Sequence, residues 1–134
     1  LFILFITVGC GGDNNNANGD PNKNNGDDGK NNEVLLKGQQ ERRKITDDKL
    51  RKAYDKGYTT GYNFGKRMGL DYRSKTVPAN RKIIKDTYLN QLAGFRETYK
   101  SLLKDYKTEN NATVMGEKGV YFGAMDGWEE HSGK

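Results

Sequence analysis

The chain has few side chains that could take part in covalent or metal chemistry. Among 134 residues it has one cysteine, Cys10, and one histidine, His131. His131 follows Glu129 and Glu130 near the last residue, and a single histidine beside two acids is a weak metal-site pattern. No serine lies in a nucleophile motif, and no glycine-rich loop follows a predicted strand. We therefore expect a binding protein rather than an enzyme, with no metal and no cofactor.

The surroundings of Cys10 make attachment of a lipid to its thiol the expected chemistry. Residues 1–8 (LFILFITV) form an apolar run that is shorter than the roughly 20 residues needed to span a bilayer. The run fits the apolar part of a secretory signal, and glycines flank the cysteine on both sides. Residues 7–10 are similar to the processing site of bacterial lipoproteins, although leucine is missing three positions before the cysteine. We interpret 1–9 as a truncated signal peptide, and an ordinary signal with a stray thiol is the alternative.

A polar segment separates the cysteine from the rest of the chain. Residues 11–32 contain nine asparagines and no large apolar side chain. Such a composition cannot bury enough surface to offset the entropy of ordering its backbone, so we predict a disordered tether over 10–32. The tether carries four of the 18 acidic residues and two of the 23 basic ones, which leaves a net charge of +7 on residues 33–134. A basic domain favours acidic partners.

The pattern of residues 33–134 predicts an all-α domain of two long helices and a shorter third. The first helix runs from Thr46, whose hydroxyl caps it, to about Leu70. A Val-Pro pair then breaks the chain, and Asn80 caps a second helix of about 28 residues. The third helix covers about 113–130. The strongest periodicity belongs to the second helix, whose apolar stripe is Ile84, Tyr88, Leu92, Phe95, Tyr99, Leu102 and Tyr106.

Glycines recur with a spacing of four residues in the first and third predicted helices. They are Gly57, Gly61, Gly65 and Gly69 in the first, and Gly119, Gly123 and Gly127 in the third. Each glycine inside a helix costs about 1 kcal/mol relative to alanine, so the missing Cβ atoms must serve a purpose. We expect these two glycine ladders to pack against one another or against aromatic rings of the second helix. A surface for self-association is the alternative.

The densest basic cluster lies around the predicted turn between the first and second helices. From Lys66 to Lys85 there are seven basic residues and one acid, Asp71. Tyr72 in the same stretch is an aromatic suited to anchoring an interface, and we expect it to be exposed. The predicted binding residues are Tyr72, Arg73, Lys75, Arg81 and Lys82. A solvated basic turn is the alternative interpretation, and the polar loop 107–111 is a second, less specific candidate surface.

The lipoprotein-like residues 7–10, the Asn/Asp/Gly tether and the Lys-rich helical domain together resemble the outer-surface lipoproteins of Borrelia spirochaetes. Within that family the chain looks most like the factor H-binding proteins of relapsing-fever species. The resemblance implies a palmitate-containing anchor in the outer membrane, display on the bacterial cell surface, and a role in virulence. It also implies capture of host complement factor H for complement evasion, with plasminogen as a further partner.

Two other functions fit the same residues. The basic cluster suits a glycosaminoglycan-binding adhesin, whose affinity would fall steeply with salt because screening shortens the range of its charges. The glycine ladders suit a self-associating structural lipoprotein. A nucleic acid would match the charge, but the secretory signal places the domain outside the cell, so we expect no nucleic-acid partner.

Overall fold

Four α-helices make up most of the chain that the structure describes. The computed structural model describes residues 35–133, and no strand occurs within that range. The predicted signal peptide, Cys10 and the tether lie outside the described residues. The all-α prediction is confirmed, but the count of three helices is wrong because a short helix precedes the others. The four helices are α1 (Lys37–Arg43), α2 (Asp48–Ser74), α3 (Pro78–Tyr106) and α4 (Ala112–His131).

Helix α1 is the element that the sequence did not predict. It has seven residues and contains Gly38, a poor helix former. Contacts with distant residues hold it in place. The backbone N–H of Gly38 donates to Asp126 Oδ2 at 2.9 Å, and the Tyr54 hydroxyl donates to the Gly38 carbonyl at 2.6 Å. These partners lie 88 and 16 residues away along the chain, and the local support is a bond from the Leu36 backbone N–H to Gln39 Oε1 at 3.3 Å.

Helix α2 begins and ends later than predicted. Asp47 caps it instead of Thr46, because the Asp47 carboxylate accepts the backbone N–H of Leu50 at 3.0 Å. The helix continues past Leu70 to Ser74. The first residues of the predicted turn are therefore helical, which fixes the direction in which their side chains leave the backbone.

The Val-Pro pair begins α3 rather than breaking the chain. Pro78 is the first helical residue, where the missing backbone N–H costs no hydrogen bond. Val77 is the N-cap in place of Asn80. At the other connection, Asn111 caps α4 by accepting two backbone N–H groups at 2.8 and 3.2 Å. Helix α4 ends at His131, so its bounds lie within a residue of the predicted 113–130.

Glycines let α2 and α4 approach one another backbone to backbone. A Cβ built on Gly61 would collide with the carbonyl oxygen of Val120, and one built on Gly123 would collide with that of Tyr58. A Cβ on any ladder glycine would lie too close to backbone of the facing helix or the residue that follows it. This holds for Gly57, Gly61, Gly65, Gly69, Gly119, Gly123 and Gly127. The two ladders thus lie on the facing sides of α2 and α4.

Helix α3 packs against this pair through large side chains. Tyr88 stacks on Trp128 of α4, with ring centroids 4.2 Å apart and planes 7° from parallel. Of the predicted stripe, Ile84 and Tyr88 are buried, whereas the members from position 92 to position 102 are half-buried and Tyr106 is 47% exposed. The contact of α3 with the pair is therefore more open than the backbone contact between α2 and α4.

Candidate binding site

A cavity of about 280 Å³ lies at the turn where α2 leads into α3. Three residues, 75–77, connect the two helices, and the extended backbone of Lys75 ends α2. The cavity is lined by Tyr72, Thr76, Pro78, Arg81, Lys82 and Lys85. Half of these side chains are cations, and all three cations come from the basic cluster that the sequence indicated. The turn therefore brings part of this cluster around one opening.

Arg81 is fixed against the aromatic ring of Tyr72. Its guanidinium carbon lies 4.6 Å from the ring centroid, which is a cation–π geometry. Its Nε also donates to the backbone carbonyl of Tyr72 at 3.3 Å. On its other side the Tyr72 ring packs on Trp128, with centroids 5.1 Å apart. Tyr72 is consequently half-buried, and the expectation of an exposed aromatic anchor is wrong.

Two of the lysines at the turn have carboxylate partners. Lys82 pairs with Asp86 at 2.6 Å, and Lys75 pairs with Asp71 at 3.1 Å. Both pairs are solvent-exposed, so each contributes little to stability, about 1 kcal/mol at most. Lys85 forms no ion pair with any residue in the range 35–133. The rim of the cavity therefore keeps an excess of positive charge.

The five predicted binding residues divide into two groups. Tyr72, Arg81 and Lys82 line the cavity. Arg73 lies against Gly133, two residues beyond the end of α4, and Lys75 pairs with Asp71 on α2. Neither side chain lines the cavity. The prediction that all five carry a partner-binding role stays a prediction, but the structure brings only three of them together.

Three lining residues were not among those five. Lys85 belongs to the basic cluster, whereas Thr76 and Pro78 are uncharged and lie at or beside the predicted break between the helices. A proline that follows an extended residue is typical of a helix start, and this signal would have placed both residues at a helix–turn junction.

A second polar cluster surrounds Lys118 at the opposite end of α3. Lys118 is 8% exposed, and its ammonium group donates to Glu109 Oε1 at 2.8 Å and lies 3.1 Å from Glu41 Oε1. The Tyr99 hydroxyl donates to the same Glu109 oxygen at 2.6 Å. These contacts join α1, α3, α4 and the loop before α4. Glu109 belongs to the loop 107–111, and its carboxylate is engaged inside the molecule.

The charges of this cluster stabilise one another. Burial opposes the charged form of Lys118, but hydrogen bonds to Glu109 and Glu41 outweigh it and raise the pKa of Lys118. The hydrogen bond from Lys118 lowers the pKa of Glu109. Hydrogen bonds from Lys44 and then from Lys118 lower the pKa of Glu41. Since each charge has an opposite partner, the cluster holds the fold together.

Asp126 is a buried carboxylate between three helices. It is 2% exposed, and its oxygens accept the Gly38 backbone N–H and, at 2.7 Å, the Tyr58 hydroxyl. Burial is the main cause that raises the pKa of Asp126. Because α1 and α2 supply its hydrogen-bond donors, Asp126 on α4 holds α1 against α2 and α4.

The single histidine lies beside a tyrosine at the end of α4. The Tyr62 hydroxyl donates to Glu130 Oε1 at 2.6 Å and lies 3.1 Å from His131 Nε2. The Tyr62 and His131 rings meet edge to face, with centroids 5.9 Å apart. Within residues 35–133, no three His, Cys, Asp or Glu side chains lie close enough together to hold a metal ion.

Comparison of the chain with family models, with curated protein sequences and with solved structures returns no match. The helices described in the range 35–133 include none whose length and apolar character would let it cross a membrane. In the part of the chain that the structure describes, the cavity at the α2–α3 turn combines an opening with a cationic rim.

Proposed function

We propose that this protein is a lipid-anchored, surface-displayed bacterial binding protein that captures a host protein, complement factor H, at the α2–α3 turn. The observation that carries the proposal is the cavity at this turn, which three cations line. The buried Lys118 is paired with Glu41 and Glu109, whereas the rim of the cavity has an excess of positive charge. An acidic surface of a partner protein complements such a rim.

The mechanism needs no chemistry beyond binding. The lipid on Cys10 anchors the chain in the outer membrane, and the tether over 10–32 holds the helical domain away from the membrane. Positive charge at the turn attracts an acidic surface and orients it during approach. Captured factor H then suppresses complement on the bacterial surface, as the resemblance to Borrelia surface lipoproteins implies.

A rigid support favours the turn as a recognition surface. Helix α2 is held against α4 along the glycine ladders, and Tyr72 and Arg81 fix the last turn of α2 against the first turns of α3. A surface that is ordered before binding loses less conformational entropy when the partner arrives. This ordering supports direct capture at the turn.

One rival function has an observation in its favour. Seven basic residues between positions 66 and 85 match the charge footprint that a glycosaminoglycan would require. Such binding depends mainly on charge and is screened by salt. Plasminogen is a further candidate, since the same surface is rich in lysine. Self-association has no comparable support, because all seven ladder glycines are covered by the facing helix within one chain.

A serum pull-down tests the proposal. Immobilised residues 11–134 are exposed to human serum at physiological and at doubled salt. We compare the unchanged sequence with a variant carrying Lys82→Glu and Lys85→Glu. The matched control carries Lys49→Glu and Lys52→Glu, two exposed lysines with the same spacing on α2, far from the cavity. Tyr72 is left unchanged because its removal would expose Trp128.

The expected result is a factor H band that survives doubled salt, disappears in the variant at positions 82 and 85, and persists in the control. A band that both variants lose equally would show that total charge, rather than the cavity, governs binding. Elution of factor H together with all heparin-binding serum proteins would favour the glycosaminoglycan adhesin. Absence of factor H from the unchanged chain would contradict the proposed partner.

A further inference from the structure

The guanidinium of Arg81 carries hydrogen-bond donors that the protein itself does not use. The cation–π contact with Tyr72 and the bond from Nε to the Tyr72 carbonyl hold the group in one orientation. Its two terminal amino groups have no acceptor among residues 35–133. Arg81 also lines the cavity. The group is thus oriented before any ligand arrives, and its planar end matches the two oxygens of a carboxylate.

Two further donors line the same cavity without a partner. The Thr76 hydroxyl makes no hydrogen bond with any other part of the described chain, and Lys85 has no carboxylate within ion-pair distance there. The ring of Tyr72 and the ring of Pro78 supply apolar walls. This combination of apolar walls and convergent donors suits a group with a short aliphatic stem and an anionic end.

The size and the flanking charges of the cavity favour a single, discrete anion. The cavity volume of about 280 Å³ lies just below the range of about 300–1,000 Å³ that is usual for a small-molecule site. The cavity therefore has room for one or two side chains. Asp86 next to Lys82 and Asp71 next to Lys75 would repel an extended polyanion that ran across the turn. A lone carboxylate presents less negative charge to these two acids than a polyanion does.

We propose that the cavity is a subsite for one carboxylate side chain, a glutamate or aspartate in an acidic segment of the protein partner. The carboxylate accepts two parallel hydrogen bonds from the terminal amino groups of Arg81, with Thr76 and Lys85 as additional donors. This inference rests on the proposed function in that the carboxylate belongs to the captured protein. It names Arg81 as the specificity-determining residue of the turn.

A titration with short peptides tests the subsite without the natural partner. The probe is acetyl-Ala-Glu-Ala amide, which carries one carboxylate, and its uncharged counterpart is acetyl-Ala-Gln-Ala amide. Backbone and arginine Nε signals of ¹⁵N-labelled residues 11–134 report binding. The variants are Arg81→Gln and Arg81→Lys, the second of which keeps the charge but removes the planar pair of donors. The matched control is Arg67→Gln, an exposed arginine on α2 outside the cavity lining. Each variant is first shown to be folded by its amide spectrum.

We expect the glutamate peptide to shift signals in the range 72–85 and the glutamine peptide to leave them unchanged. Loss of a charge-assisted, bidentate pair should weaken peptide binding about tenfold in Arg81→Gln and by nearly as much in Arg81→Lys. Arg67→Gln should change the affinity less than about twofold. Equal weakening by the variants at positions 81 and 67, or unchanged affinity in Arg81→Lys, would overturn the carboxylate subsite.

A heparin-derived disaccharide is titrated in parallel to separate the possible sources of the anion. If the disaccharide binds more tightly than the peptide and depends on Arg81, the carboxylate subsite is overturned in favour of a sulfated glycan. If peptide binding depends on Arg81 but the serum pull-down recovers no factor H, the result would support the carboxylate subsite and contradict factor H as the partner. If factor H binds Arg81→Gln and Arg81→Lys as tightly as the unchanged chain, the subsite would be overturned and the proposed function would stand.

Discussion

Charged and tyrosine side chains gather near both ends of α3, but their contacts differ. At its C-terminal end, Lys118 meets Glu41 and Glu109, and the nearby Tyr99 hydroxyl donates to the same cluster. At its N-terminal end, Arg81 lies over the ring of Tyr72 with its terminal donors unused. Arg81 and Tyr99 are 18 residues apart on α3, which at 1.5 Å per residue is about 27 Å along the helix. Paired charge at one end contributes stability, and unpaired charge at the other is available for a partner.

The contact between α2 and α4 supports both ends. Lys118 lies on α4, and Tyr72 lies on α2 and packs against Trp128 of α4. A change that separates these two helices should therefore disturb the paired end and the cavity together. Changes confined to one end should affect either stability or binding.

The largest effect is expected for Gly61→Ala. The added Cβ meets the carbonyl oxygen of Val120 and the backbone nitrogen of Ala124, and backbone atoms cannot move aside as a flexible side chain would. We expect a loss of about 3 kcal/mol or more in the free energy of unfolding, measured by urea denaturation and helical circular dichroism. The control is Gly116→Ala on α4, where the nearest atom, the Ala53 carbonyl oxygen, lies 3.7 Å from the new Cβ. Similar losses in both variants would contradict a close contact at Gly61.

The next largest effect concerns the paired end. Lys118→Met leaves Glu41 and Glu109 near one another without their shared cation. We expect a loss of about 2 kcal/mol at pH 7, discounted from the value for fully buried pairs because both carboxylates are partly exposed. Binding at the cavity should stay unchanged in the same variant. A variant of full stability, or one with weakened partner binding, would contradict the division between the two ends.

The same variant should change the pH dependence of stability. Hydrogen bonds from Lys118 and Tyr99 lower the pKa of Glu109, and those from Lys44 and Lys118 lower the pKa of Glu41. Their stabilising contribution is present above the ordinary glutamate pKa of 4.5 and is lost as pH falls through the lowered values. Lys118→Met should therefore lose less stability than the unchanged chain when urea denaturation is repeated between neutral and strongly acidic pH.

A smaller effect is expected in the middle of α3, between the two ends. Gly94 has no heavy atom within 4 Å of the position where a Cβ would stand. Gly94→Ala should raise the free energy of unfolding by about 0.5–1 kcal/mol, because alanine loses less backbone entropy on folding into a helix. The measurement is again urea denaturation. A loss of stability would show that α3 is covered at this position, contrary to the open contact described above.

The smallest effect on stability is expected at the cavity. Lys85→Gln removes a cation that forms no ion pair in the described part of the chain, so unfolding should change by less than about 0.5 kcal/mol. Binding of the captured partner should nevertheless weaken by about threefold, since an exposed rim charge contributes modestly to affinity. Calorimetric titration of the partner measures this. A clear loss of stability with unchanged binding would reverse the roles assigned to the two ends.

The long helices could be predicted because their signals are local. Capping residues and apolar spacing indicate α2, α3 and α4 within a few positions of their bounds. Helix α1 could not be predicted, since its stability depends on Asp126 and Tyr54 rather than on its own seven residues. The burial of Lys118 could not be predicted either, because its partners, Glu41 and Glu109, lie outside α4.

The candidate site was predictable in part for the same reason. The basic cluster is contiguous in sequence, so its position at the turn followed from composition alone. The surroundings of Tyr72 could not be predicted in this way, because they depend on Trp128, which lies 56 positions later in the chain.

Hydrogen–deuterium exchange of residues 11–134, with and without purified factor H, tests the central claim most directly. The account predicts slower exchange of backbone amides in the range 73–82 on binding, where the turn and the first residues of α3 surround the cavity. Amides in the range 107–118, near the paired cluster, should exchange at an unchanged rate. Protection of 107–118 with no change at 73–82 would contradict the assignment of binding to the α2–α3 turn.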